Sequence, residues 1–136
     1  MRIAFLMDPI ARVLVDKDTT FALMLEAQAR GHEVYSLAPS DLYACDGTVY
    51  ARVQRARVQR AAPPAHAALD AHERVDLRSL HALFIRTDPP FDDQYLYVTQ
   101  LLERVRHDLV VLNDPRGLRD ANEKLYALHF PEVTPQ

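Results

Sequence analysis

Arg86-Thr87-Asp88-Pro89-Pro90-Phe91-Asp92 places one guanidinium and two carboxylates around a Pro-Pro pair. The prolines fix the backbone and leave the loop little entropy to lose, which suits a binding edge held in one shape. A planar guanidinium such as that of Arg86 matches a carboxylate or a phosphate through paired hydrogen bonds. The competing reading is an ion pair of Arg86 with Asp88 or Asp92 that only ties the loop. Two further polar segments carry groups of the same kind, Asp8–Asp18 with Lys17 and Asn113–Lys124 with Asp120, Asn122 and Glu123. Lys17 and Lys124 are the only lysines beside 14 arginines, so they point weakly to places where a compact ammonium is wanted.

What is missing narrows the chemistry. The three glycines, Gly31, Gly47 and Gly117, are scattered, and neither G-x-G-x-x-G nor G-x-x-x-x-G-K-[ST] occurs, so dinucleotide and P-loop readings fail. His66, His72, His81, His107 and His129 lack zinc-ligand spacing, and no metal site is expected. The single cysteine, Cys45, excludes an internal disulfide framework and suits a reducing, cytoplasmic setting. A net charge of -3 argues against a general nucleic-acid binder. No apolar run approaches the ~18 residues of a membrane span. The opening run breaks at Asp8-Pro9, too early for a signal-peptide core.

The elements that must position these groups alternate along the chain. Arg2–Met7 is continuously apolar, as a strand buried on both faces is. Asp16 or Asp18 can cap a following helix whose inner face carries Phe21, Met24, Leu25 and Ala29, with Gly31 as its stop. Glu33–Ala38 is the next strand, which completes a βαβ unit. His81–Ile85 and Leu109–Leu112 are further strands, separated by a helix capped by Asp92 or Asp93 with Val98, Leu101, Leu102 and Val105 inward. A last helix over Leu118–Phe130 should bury Leu118, Ala121, Leu125 and Leu128. The pattern predicts an α/β domain with a mainly parallel sheet, its ligands beyond the carboxyl ends of the strands.

One stretch stands apart. Ala51-Arg52-Val53-Gln54-Arg55 repeats perfectly as Ala56-Arg57-Val58-Gln59-Arg60. After the Asp46-Gly47 turn signal, this Arg-rich segment reads as an exposed inserted β-hairpin whose charges protect an edge. The four arginines of Arg52–Arg60 could alternatively grip phosphate or RNA. Ala61–Ala71, with Pro63-Pro64, reads as a linker.

The three polar segments also carry a family resemblance. Met7-Asp8-Pro9-Ile10 with Lys17-Asp18-Thr19-Thr20-Phe21-Ala22, then Arg86-Thr87-Asp88-Pro89-Pro90-Phe91-Asp92, then Leu118-Arg119-Asp120-Ala121-Asn122-Glu123-Lys124-Leu125 resemble the N-terminal part of bacterial glutathione synthetase, in order and with matching spacing. The 50–76 stretch matches poorly. The resemblance implies a Rossmann-like three-layer domain over residues 1–130, preceding an ATP-grasp fold, with 131–136 beginning the linker to it. It implies an ATP-dependent ligase that joins γ-glutamylcysteine to glycine through an acyl phosphate, with ATP and Mg2+ as cofactors of the longer enzyme. It further implies a cytoplasmic homo-oligomer. Arg86, Asp8, Lys17, Asp18 and Thr19 would then bind peptide substrate, and Lys124 would face nucleotide phosphate. No catalytic or metal-ligating residue is expected in this piece, which alone should not catalyse ligation. The alternatives are a stand-alone Rossmann-like binding or oligomerisation module without catalysis, and an RNA- or phosphate-binding protein acting through the Arg-rich segment.

Overall fold

The computed structural model describes residues 1–88, 90–121 and 124–134, with the side chain of Lys124 outside the described set. Strand β1 (Arg2–Met7) runs at the centre of a seven-stranded sheet. Its unbroken apolar character follows from cover on both faces. Ala4 and Leu6 enter one core, while Ile3, Phe5 and Met7 enter the other.

Helix α1 (Thr19–Ala29) starts where the Asp18 carboxylate accepts the Phe21 N–H at 2.8 Å. It packs Phe21, Met24 and Ala27 into the second core, with Leu25 alongside and Ala29 exposed, so the inner face predicted from spacing is shifted toward Ala27. The chain turns at Gly31, whose φ of 76° is a conformation only glycine adopts without strain. Strand β2 (Glu33–Leu37) then pairs parallel with β1.

The next three strands are where the fold departs from the expected architecture. β3 (Leu42–Cys45), β4 (Thr48–Val58) and β5 (Ala67–Asp76) are all antiparallel to their neighbours. The sheet is therefore mixed, not mainly parallel, in the order β3-β4-β2-β1-β6-β7 with β5 beside β4. The Arg-rich segment does enter a β-hairpin, with β3 across the Asp46-Gly47 turn, but not as an exposed insert. It is the long strand β4, with β3 and β2 along one side and β5 along the other, and β5 runs through part of the stretch read as linker.

The repeat explains how one strand serves two cores. Side chains alternate with period two along a strand, and a five-residue period is odd, so the second copy faces the opposite way. Ala51 and Val53 of the first copy lie in the first core, and Ala56 and Val58 of the second copy lie in the other. Three of the arginines between them pair with acids while staying largely exposed. Arg52 pairs with Asp41 at 3.1 Å, Arg55 with Glu33 at 3.5 Å, and Arg57 with Asp70. Three of the four cations that suggested an RNA grip are thereby neutralised within the domain.

Strand β6 (Ala82–Arg86) pairs parallel with β1, and β7 (Val110–Leu112) parallel with β6. Helix α2 (Asp93–Glu103) joins them, capped by Asp92, whose carboxylate accepts the Tyr95 N–H at 2.8 Å. Val98 and Leu102, with Val105 just beyond the helix, fill the first core, on the face opposite α1. The C-terminal segment is not one helix. α3 (Pro115–Asp120) is capped by Asp114 and is held to α2 by ion pairs of Arg116 and Arg119 with Glu103. A 3-10 turn over Lys124–His129 follows, and Leu125 and Leu128 are exposed, not buried. In a 3-10 turn residues three apart eclipse, which aligns these two leucines along its outer side.

Candidate functional site

β1 and β6 are adjacent and parallel, yet the connection after β1 passes through α1 on one face and the connection after β6 through α2 on the other. Adjacent strands whose crossovers diverge leave a crevice beyond their carboxyl ends, the usual ligand position in open α/β sheets. Here that crevice is a cleft of about 420 Å³. It is lined by Asp8 and Arg12 after β1, Lys17 to Thr20 at the start of α1, Arg86 at the end of β6 and Asp88 just beyond it.

Register sets the two key loops side by side. Met7 and Arg86 are Cα partners, so Asp8 leaves the sheet one residue past a strand spacing of roughly 4.8 Å from β6. The Asp88 N–H donates to Asp8 Oδ2 at 3.4 Å, a long bond that joins the loops. Arg86 does not pair with Asp88 or Asp92. Its Nε donates to Thr20 Oγ1 at 3.0 Å and its Nη2 to Thr19 Oγ1 at 2.7 Å. Two of five guanidinium N–H groups are thus used to fix the head, and three are left for a ligand. The two hydroxyls accept from Arg86, so their own protons are available to donate outward.

Of the residues expected to bind substrate, Asp8, Lys17, Asp18, Thr19 and Arg86 all line this one cleft. Asp18 does so while serving as the cap of α1, so its carboxylate has a structural task as well. Lys124, expected to face nucleotide phosphate, has its side chain outside the described residues. The Asn113–Lys124 segment contributes no lining residue to the cleft among the described residues.

Two features were not read from the sequence. Arg12, in the 3-10 turn Ile10–Arg12, brings a third cation into the cleft. His66, from the β4–β5 connection, is buried against Phe21, and its Nε2 bonds the Ile10 carbonyl at 2.9 Å. It holds the loop that carries Arg12. A lone histidine in a proline-rich stretch carries no periodic signal that would have pointed to this.

Fold and cleft together define an α/β domain with a cleft lined by charged side chains beyond the ends of two parallel strands. The chain belongs to the prokaryotic glutathione synthetase N-terminal domain family, which it matches over residues 1–119. It is 43% identical over 135 residues to the glutathione synthetase of Rhodopseudomonas palustris, covering 99% of this chain and 43% of that protein. With the glutathione synthetase of Coxiella burnetii it shares 42% identity over 137 residues, covering 100% and 42%. With that of Vibrio cholerae it shares 38% over 136 residues, covering 99% and 42%. The chain thus spans about two-fifths of the length of these relatives. Among the described residues no helix is long and apolar enough to cross a membrane.

Proposed function

We propose that this chain is the peptide-substrate domain of a cytoplasmic, ATP-dependent ligase that joins γ-glutamylcysteine to glycine. The observation that carries this reading is the cleft at the β1/β6 crevice, where Arg86 is oriented by Thr19 and Thr20 with donors to spare. Family membership supports the reading by supplying a reaction whose substrates are peptides and amino acids with free carboxylates.

The division of labour follows from the groups present. Arg86 binds a substrate carboxylate through a bidentate, charge-assisted pair. Lys17 and Arg12 raise the local positive potential. Asp8 and the Thr19–Thr20 corner shape the floor. ATP and Mg2+ do not fit the described residues. No three carboxylate, imidazole or thiol groups gather into a metal set among them, and no glycine-rich loop is available to cradle phosphates. Nucleotide and metal are accordingly assigned to an ATP-grasp domain outside these residues, and the domain alone is expected to be inactive in ligation. Self-association into a homo-oligomer belongs to the same proposal and is measured by sedimentation.

The test is Arg86→Lys in the full-length enzyme, which keeps the charge and removes the fork. Loss of charge-assisted hydrogen bonds of this kind costs about 1.5–3 kcal/mol, or roughly ten- to a hundredfold in the KM for γ-glutamylcysteine. The KM for ATP and the melting temperature should barely move. A large stability loss with an unchanged peptide KM would make Arg86 a structural residue and remove the basis of the proposal.

A further inference from the structure

His66 does not line the cleft, yet it touches both of the segments that do so on the α1 side. Its ring lies 5.7 Å from that of Phe21, the residue after Thr20, whose hydroxyl accepts from Arg86. Its Nε2 bonds the Ile10 carbonyl at 2.9 Å, in the turn that carries Arg12. Among the described residues this is the only hydrogen bond that reaches residues 9–17 from beyond the Asp8–Asp18 loop. The ring is itself mounted on bonded backbone. The His66 carbonyl accepts the Gln59 N–H at 2.9 Å, and the Gln28 side chain of α1 both donates to the Val58 carbonyl and accepts the Val58 N–H, each at 2.8 Å.

Packing alone does not account for a histidine here. The residue is only 2% exposed, and its Nδ1 is buried without a hydrogen-bond partner among the described residues. An unsatisfied buried nitrogen makes imidazole a poorer core filler than leucine or methionine. What imidazole supplies, and they cannot, is a donor at a fixed distance from a loop carbonyl. A carbonyl only accepts, so Nε2 carries the proton and the ring is the Nε2–H tautomer.

From this geometry we infer that His66 is a positioning residue for the cleft. Acting through the Ile10 carbonyl and Phe21, it sets the Arg12 turn against the Thr19–Thr20 corner, and it touches no ligand. The inference rests on the cleft being the substrate site. It adds that the β4–β5 connection, which supplies no lining residue, governs how well the cleft is formed. A loop released from its tether must be ordered by the ligand, so the cost falls on binding and not on the chemical step.

Kinetics of the full-length enzyme, with γ-glutamylcysteine and ATP varied in turn, test this. His66→Leu should raise the KM for γ-glutamylcysteine roughly fivefold, the loss of one hydrogen bond, and leave kcat and the KM for ATP within about twofold. His66→Gln, whose amide N–H can meet the same carbonyl, should recover most of the peptide KM. Val49→Ala opens a cavity in the first core away from the cleft; it should lower the melting temperature and leave the peptide KM unchanged. In the wild-type protein, nitrogen-15 shifts of the His66 ring should show a protonated Nε2 and a bare Nδ1, a reading that does not depend on how the variants fold. An unchanged peptide KM in His66→Leu, no recovery in His66→Gln, an equal rise in Val49→Ala, or the opposite tautomer would overturn the inference. Arg86→Lys in the same assay separates the two claims. A raised peptide KM there with none in His66→Leu removes only the role of His66, whereas no rise in either takes down the substrate site as well.

Discussion

Thr20→Val isolates the orientation of Arg86 from its charge. The replacement is nearly isosteric, and Thr20 is only 5% exposed, so the packing around the start of α1 is kept. What is lost is the acceptor for Arg86 Nε at 3.0 Å, while Thr19 still holds Nη2 at 2.7 Å. An arginine side chain carries about 2 kcal/mol of rotamer entropy. If each of the two tethers removes about half of it, freeing one returns roughly 1 kcal/mol that ligand binding must then supply, or about a fivefold weaker Kd. The double variant Thr19→Val with Thr20→Val should reach about 2 kcal/mol, roughly thirtyfold. Stability should change by less than about 1 kcal/mol, because the lost hydrogen bond is offset by burying a methyl group. Calorimetric titration with γ-glutamylcysteine and thermal melts read the two quantities separately. Unchanged affinity with a clearly lowered melting temperature would mean that the threonines serve only the helix and do not orient Arg86 for a ligand.

Asp18 separates cap from ligand: Asp18→Ala should cost about 1 kcal/mol in urea unfolding, and Asp18→Asn, which still caps, only a small fraction of that. His66→Leu leaves the Ile10 carbonyl without its partner and should destabilise by about 1–3 kcal/mol, with His66→Gln recovering part of the loss in the same assay. Hydrogen bonds from Arg78 hold the Asp76 carboxyl below its ordinary range, and the N–H groups of Gly117 and Arg116, with Arg106 nearby, do so for Asp114. A lowered folded-state value means that the unfolded chain binds the proton more tightly. The stability these groups contribute is therefore full above the ordinary carboxyl value near 4 and is lost as pH falls through the lower folded values. Joint replacement by Asn should flatten the acid limb of stability against pH, measured by urea melts from about pH 6 to pH 3.

The parallel half of the fold was legible because its signals are local. The continuous apolar run of β1, the Asp18 and Asp92 caps and the Val98/Leu102/Val105 stripe each follow from one element's own residues. The antiparallel half was not. β4 reads as an exposed hairpin because its odd-period repeat scatters arginines through every window, and only the long-range partners Asp41, Glu33 and Asp70 show where they go. β5 keeps just Val75 buried among its apolar residues, since it pairs only with β4, so no alternation marks it. At the site, residue types were readable but partners were not. Arg86 was weighed against neighbouring acids in its own loop, whereas its partners, Thr19 and Thr20, lie 67 and 66 residues away. The C-terminal leucines were misplaced because their spacing fits a helix, while α3 stops at Asp120.

The most direct measurement is an NMR chemical-shift map of γ-glutamylcysteine on the 136-residue chain. Saturable shifts are expected at Asp8, Arg12, Thr19, Thr20, Arg86 and Asp88, with none around Arg55 and Arg57 in the hollow beside Gln28. Shifts centred on that second hollow, or no response in the cleft at concentrations that saturate the full-length enzyme, would contradict it.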